Sequence, residues 1–474
     1  TTGFDEGRQV IISKVVDKVG NIKYATSTGI VIEDVKPQIL ETTIDNYDED
    51  GVYSQDVTIS VSGAQDYFDD LTGYSGIASV DYQSYLNDVE YTNGNIYTRE
   101  VPADGTDTAQ QLVDQANVAD GENGIADIVI PFKSDVLSTD AAAENHMKVV
   151  ITATDYAGNV SDEKLVEFEF DNAAPVLEVS FDGTPVNGKY FSTSQRTVTI
   201  TVTEAYFDPA RVEFTGTDST VKNNWTEIEN HVYQTTRTYR GDNDYIFDVT
   251  LKDMGDYSVG MSDLDVPAHY WEFTLDNTAP AVEKIQYYMQ VGSNVTAITP
   301  GQAENQRFYG NARIYADVTV REHNFMGRDI SSDYADGLDV KITAERTGTD
   351  YSDPTHNWIS SNGDVHVLRV NYPGDANYTF SMNYWDMAGN ALKDSYSTEY
   401  FTVDKTRPTG KIKISKFDSV WAELVNAITF GLFSNHSETV TIFDEQDVTA
   451  GVQSVQYLRS HDQMTTSMLD QSQS

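Results

Sequence analysis

The residues best placed to do chemistry in this chain are aspartates that recur just ahead of a proline. Asp171, Asp276 and Asp404 each open a five-residue stamp, DNAAP at 171–175, DNTAP at 276–280 and DKTRP at 404–408, with a shorter relative, DVKP, at 34–37. A second acidic stretch holds Asp45, Asp48, Glu49 and Asp50. Hard cations take about six to eight oxygen ligands, and Asp-rich junctions between folded bodies supply them. Calcium is therefore the cofactor these positions point to, although none is required. There is no EF-hand spacing, and solvated charge on hairpin turns is the ordinary alternative.

Other chemistry is sparse. The eight histidines are scattered, with no H-E-x-x-H, and no G-x-S-x-G, P-loop or dinucleotide fingerprint occurs, so no enzyme is expected. His356 and His366 flank Trp358 and form a metal pair only if a loop and a strand bring them together. Glu204 and Glu322 occupy matching strand ends, where a carboxylate either caps a nearby turn or promotes a Lys–Asn crosslink. No lysine lies in matching register, which favours the cap. Tyr82, Tyr85, Tyr287 and Tyr288 are candidate ligand contacts, since exposed tyrosine offers broad, low-entropy area to proteins and sugar rings. Tyrosine is also simply a good strand residue.

Lys and Arg total 31 against 75 Asp and Glu in 474 residues, a formal charge of −44. That excess repels phosphate backbones and anionic lipid, which argues against nucleic-acid partners and membrane-surface binding. The 29 Tyr, 19 Phe and 5 Trp exceed what a disordered acidic chain carries. There is no cysteine, which removes disulfides and thiolate sites together and points to a bacterial source or the cytosol. The longest apolar run, Trp421 to Phe433, is too short to span a bilayer, so no membrane insertion is expected. A monomer is the expected state.

Internal repeats organise the chain. A D-x-x-G-N signal precedes the stamps at Asp17–Asn21, Asp155–Asn159 and Asp386–Asn390. Residues 199–207 (TITVTEAYF) match 317–325 (DVTVREHNF), pairing Glu204 with Glu322 and Phe207 with Phe325. Trp225, Tyr245, Phe247 and Asp253 are spaced as Trp358, Tyr378, Phe380 and Asp386 are. In the earlier block the Ala-Gly-Asn turn has decayed, and reads most simply as Met254-Gly255-Asp256. Ser75–Tyr82 resembles Ala450–Tyr457, which links the first block to the last.

Apolar residues recur with a period of two, as in Val57, Ile59, Val61 and in Val198, Ile200, Val202, with Thr or Ser between them. Strands with one buried and one wet face read this way. The expected fold is all-β: tandem immunoglobulin-like β-sandwich modules in an elongated array. Residues 1–35 read as the closing strands of an incomplete module, and 36–174 as a module of one subtype with an insertion at about 85–132. Residues 175–279 and 280–407 read as two modules of a second subtype, and 408–474 as the front half of a further module of the first. Short helices are expected at Asp107 to Ala119 and Trp421 to Phe433.

The D-x-T-A-P stamp preceded by D-x-A-G-N resembles the tandem bacterial Ig-like repeats of large Gram-positive surface proteins, especially those of gut Firmicutes. The resemblance covers about 1–457. It implies a secreted, extracellular, wall-associated protein of the bacterial cell surface, with stamp aspartates contributing to junction calcium sites. It implies an adhesin-type partner, a host protein or a glycan, with an antibody variable domain one candidate. The alternative it leaves open is a passive stalk that presents another domain.

Overall fold

The computed structural model describes residues 7–27, 30–66, 75–99, 117–120, 124–218, 224–299, 308–310, 312–327, 338–393, 396–397, 401–414 and 439–457. These are overwhelmingly strand. Among the described residues, helix is confined to Ala268–Trp271 and the 3-10 turns Pro209–Arg211 and Met261–Asp263. No helix there is long and apolar enough to cross a membrane. The helix expected at Trp421 to Phe433 lies outside the described residues, as does 107–116. Asn117–Ala119, expected to end a helix, is instead a strand paired with Gly63–Gln65.

The chain divides into two compact units, one of residues 1–182, 196–239 and 245–272, the other of 183–195, 240–244 and 273–474. In the first unit a five-stranded sheet runs in the order Val89–Thr98, Ile77–Leu86, His146–Asp155, Lys164–Phe170, Val52–Tyr53. Shorter sheets built on Val57–Val61 and Gly63–Gln65 supply the opposing layer. Alternation decides which side chains meet between the layers: Val57, Ile59 and Val61 are buried against Met147, Val149 and Ile151, and Thr58 and Ser60 stay partly wet. This is the two-layer, Ig-like arrangement that a period of two demands. Farther along the same unit, Val176–Phe181 pairs antiparallel with Gln195–Thr203, and Phe247 packs edge-on against Phe181.

The described part of the stretch read as an insertion is mostly strand. Ile77–Leu86 and Val89–Thr98 form a long hairpin closed by Asn87 and Asp88, with φ of 48° and 66°. Two consecutive positive φ values make the turn whose twist matches the strands, and Asn and Asp tolerate them better than most residues.

In the second unit a five-stranded sheet runs Asn294–Ile298, Ala281–Val291, Arg313–Arg321, Val365–Tyr372, Thr355–Asn362. Ala376–Tyr384, flanked by Leu338–Arg346 and Phe401–Val403, forms the facing sheet. Their shared core is aromatic: Tyr372, Tyr378, Phe380 and Phe401 are fully buried, with Tyr372 and Phe401 edge to face at 4.8 Å.

One local device recurs and bears on function. The strand that leads into each stamp lies parallel to a short early strand: Phe170 opposite Tyr53, Leu275 opposite Phe191, Val403 opposite Tyr309. The stamp aspartate follows that pair directly, so a β ladder fixes its backbone.

Phe380 is completely buried. Phe380→Ala should destabilise its sandwich by about 3–5 kcal/mol through lost apolar burial and the cavity left behind. Urea unfolding followed by near-UV circular dichroism checks this, with the early transition expected to carry only part of the total amplitude.

Candidate metal centre

Three segments far apart in sequence converge on Asp171. Its N–H donates to Tyr53 O at 2.9 Å, which holds the stamp in line with the parallel strand pair. Its Oδ1 accepts the N–H of Ala173 at 3.0 Å, a short Asx turn. The same turn forms at Asp276 with Thr278 N (3.0 Å) and at Asp404 with Thr406 N (3.1 Å). Asp171, Asp276 and Asp404 thus each commit one carboxylate oxygen to their own backbone, and Asp171 and Asp276 turn the other toward neighbouring carboxylates.

Glu204 supplies the second carboxylate. It ends the strand Gln195–Thr203, and its Oε1 accepts the N–H of Tyr206 at 2.9 Å. Glu322 repeats this with Asn324 N at 2.6 Å. The capping expected of both glutamates is present, and each leaves its second oxygen to face the stamp aspartate.

The third carboxylate comes from the tight turn. Asp386 closes Asp386–Asn390 by accepting Asn390 N on Oδ1 at 2.9 Å, with Gly389 at φ 85°. Asp155 does the same with Asn159 N at 2.8 Å, and Gly158 stands at φ 94°. Asp253 accepts Tyr257 N at 2.8 Å, and the positive-φ position falls to Asp256 at 74°. The degenerate turn is therefore Gly255-Asp256-Tyr257, one residue later than the sequence reading places it.

Among the described residues three clusters result: Glu33, Asp66, Asp155; Asp171, Glu204, Asp253; and Asp276, Glu322, Asp386. In each, one oxygen from every carboxylate lies within 4.8 Å of the other two. Two oxygens bound to one calcium ion lie at most about 5 Å apart, so the spacing fits a shared cation. An all-oxygen donor set selects a hard ion over zinc or copper.

The electrostatics of the second cluster are severe. Asp171, Glu204 and Asp253 are at most 1% exposed, and Asp171 Oδ2, Glu204 Oε2 and Asp253 Oδ2 have no hydrogen-bond partner in the protein. Burial, then the charges of Asp171 and Asp253, pushes Glu204 up to about 8. Burial and the Asp171 charge push Asp253 up to about 7. Burial also raises Asp171, against the pull of the Ala173 and Gly255 N–H groups. Gly255 packs so tightly here that a Cβ would sit 2.2 Å from Asp171 Oδ2. In the other clusters burial lifts Asp66 and Glu322 to about 7 and Asp386 to about 6.

Asp375 provides the contrast. It too is fully buried, yet it accepts from Asp350 N (3.0 Å), Lys405 N (2.5 Å) and the Thr406 hydroxyl. Burial pushes its carboxyl up, but those hydrogen bonds outweigh it and hold it below the ordinary range. A buried carboxylate meant to serve structure alone is satisfied in this way. Those of the second cluster are not.

Of the sequence candidates, Asp171 and Asp276 stand in clusters. Asp404 does not join a set of three among the described residues; its Oδ2 accepts Ala450 N at 3.2 Å. Asp45, Asp48 and Asp50 do not converge. Asp45 accepts the Ser60 hydroxyl, Asp48 caps Asp50 N, and Asp50 pairs with Arg211. His356 and His366 form no metal pair: His366 stacks on Phe325 at 3.7 Å, with its nitrogens against Ser361 Oγ and Glu322 O. Tyr287 is a correction, because it is buried against Tyr372 and Phe401 rather than exposed. Tyr288 is half-buried and stacked on Tyr315. Tyr82 packs partly on the core, while Tyr85 is half-buried and bonds Gln83.

No protein-family model and no curated protein matches the chain. Among solved structures it is similar to a tetra-tandem repeat from the extending region of a large adhesion protein, at 16% identity, 85% of this chain, 82% of that one and a TM-score of 0.29. It is also similar to invasin, a bacterial integrin-binding protein (13%, 79% of this chain, 61% of that one, TM-score 0.28). A third is a Ca2+-stabilized adhesin with which an Antarctic bacterium binds ice (14%, 84% and 82%, TM-score 0.23). The fold assignment itself rests on the sheets described above.

In the chelated protein the raised Glu204 makes stability fall as pH rises. A carboxyl near 8 in the folded state and near 4.5 unfolded binds its proton more tightly when folded, so its favourable contribution is complete below about 4.5 and lost as pH rises through 8. Glu204→Gln should remove this slope, raising the melting point relative to the parent at pH 8 but not at pH 5, by an equivalent of about 1–3 kcal/mol. Thermal melts of both chains in chelator at the two pH values check it.

Proposed function

We propose that this chain is a non-catalytic segment of a bacterial cell-surface protein, built of tandem Ig-like sandwiches whose handovers are stiffened by bound calcium. One observation carries the reading: the Asp-Glu-Asp set of Asp171, Glu204 and Asp253 recurs as Asp276, Glu322 and Asp386 at the next stamp. Each set draws one ligand from the stamp, one from the first long strand that follows and one from a later turn. A cation there ties the linker to two places on the following sandwich, which removes freedom that a Pro-containing linker alone leaves. The carboxylates and the backbone carbonyls beside them are the protein's own ligands.

In the first unit the handover is also pinned by protein contacts that support a fixed geometry. The Tyr206 hydroxyl accepts Asn145 N at 2.7 Å and donates to Glu169 Oε2 at 3.1 Å, and Ala205 N donates to Ala141 O at 2.7 Å. With no cysteine available, such contacts and cations do the work that disulfides do in other extracellular sandwiches.

Such a segment serves as an extender within an adhesin. A binding role of its own is favoured by a groove of about 660 Å³ across Ile77–Leu86, Val89–Thr98 and His146–Asp155. Tyr82, Tyr85, Gln83, Asn93, Asn95 and Thr152 line it, a mixture of ring faces and amides suited to sugar hydroxyls. Gly94 admits the Tyr82 ring, since a Cβ there would come within 2.7 Å of it. A glycan is the ligand we propose first, and a host protein, an antibody variable domain included, second.

Calcium at a hundred times its Kd should stabilise the sandwich that follows Asp171 by about 2.7 kcal/mol, or roughly 10–20 °C for a domain of that size. Asp171→Asn should abolish much of the shift. Melting curves in calcium and in chelator decide this, and coincident midpoints would contradict the reading. For the groove, Tyr85→Ala should lose at least half of the parent's signal on a glycan array; retention of serum protein with no glycan bound would shift the partner to a host protein.

A further inference from the structure

The two homologous centres in Asp171/Glu204/Asp253 and Asp276/Glu322/Asp386 share every backbone cap but differ at two side chains. Asn324 stands two residues after Glu322, and its Nδ2 donates to Asp276 Oδ2 at 2.8 Å. The matching residue after Glu204 is Tyr206, whose hydroxyl is spent on Asn145 and Glu169. Asn390 closes the Asp386 turn, and its Nδ2 donates to Asp386 Oδ2 at 3.0 Å. The matching residue after Asp253 is Tyr257, and no amide reaches Asp253 Oδ2.

We infer that the two centres are ranked: the Asp171 centre is a high-affinity site for a hard divalent cation, and the Asp276 centre is a weaker, exchangeable one. This deepens, and rests on, the cation reading above. At the Asp171 centre three fully buried carboxylate oxygens face each other with no side-chain donor to displace. At the Asp276 centre the cation competes with two amide N–H donors for the oxygens it needs.

The second of those amides cannot simply turn over and offer its oxygen. Asn390 Nδ2 also donates to the carbonyl of Asp276 at 3.1 Å, which only a donor can satisfy, and its Oδ1 accepts the Ser192 hydroxyl at 2.7 Å. Access differs in the direction that favours exchange. The Asp276 centre opens on a cleft of about 450 Å³ whose walls carry Asp242, Asp244 and Asp364. An acidic cleft draws cations in from solvent and gives a bound ion a way out.

The measurement is calorimetric titration of the full-length chain with calcium alone, all chains carrying Glu33→Gln so that the remaining cluster does not contribute. Added Glu204→Gln should erase the tightest step. Added Glu322→Gln should leave that step intact and erase one at least about tenfold weaker, a gap of about 1.4 kcal/mol. Asn324→Ala, alone and with Asn390→Ala, should tighten the weaker step several-fold without moving the stronger. Far-UV circular dichroism verifies that each variant is folded, and Asn324→Ala leaves the Asp386 turn untouched if Asn390→Ala does not fold. The ranking is overturned if Glu322→Gln erases the tightest step, if the steps are equal, or if Asn324→Ala weakens binding, which would make the amide oxygen a ligand. Absence of any calcium uptake by the Glu33→Gln chain would instead remove the cation reading, and the ranking with it.

Discussion

Mutual repulsion among buried carboxylates is the constraint on which the rest of this structure turns. Asp171, Glu204 and Asp253 are sealed from water, with an unpartnered oxygen on each, inside a space that a single ion can bridge. Burying one unpaired carboxylate already costs several kcal/mol, and three that share a site cannot all ionise without a counter-charge. Among the described residues no cationic side chain pairs with these carboxylates. Arg211, a cation of the same unit, is engaged with Asp50, Asp208 and Asp256. A protein keeps such an arrangement where something positive completes it, be it protons or a divalent ion.

The fold around each cluster makes sense as a device for aiming these oxygens. A parallel strand pair fixes the stamp, an Asx turn takes one oxygen of its aspartate, a strand end caps itself on a glutamate, and a positive-φ turn closes on the last aspartate. Every carboxylate is anchored through one oxygen to a backbone N–H and so presents the other at a fixed angle. The chain uses the same vocabulary at Asp276, Glu322 and Asp386, with amides added. That is how one repeat can hold sites of unequal strength without altering its backbone.

Much of this was legible in the residues. Alternating Val and Thr foretold half-buried strands and, with them, an all-β chain. The stamps marked Asp171 and Asp276, and the matched offsets of Glu204 with Glu322 and of Asp253 with Asp386 carried the remaining ligands in plain view. They were hard to combine because 33 and 82 residues separate Asp171 from its two partners, a distance only the sheet topology closes. The Asp253 turn was misplaced by one residue because Gly255 invites alignment with the glycine of the other turns, whereas Asp256 takes the left-handed conformation. Glu33 and Asp66 belong to no repeated motif, so nothing local distinguished them from surface charge. Tyr287 reads as a candidate contact because its neighbour Tyr288 shares its type; a strand puts the two on opposite faces and buries the first.

The central claim, that a hard cation completes the Asp171, Glu204 and Asp253 cluster, is tested most directly by long-wavelength diffraction from crystals grown in calcium chloride. The account predicts an anomalous peak about 2.3–2.6 Å from one oxygen of each of the three carboxylates. Carboxylates joined to one another by shared protons, with no peak between them, would contradict it.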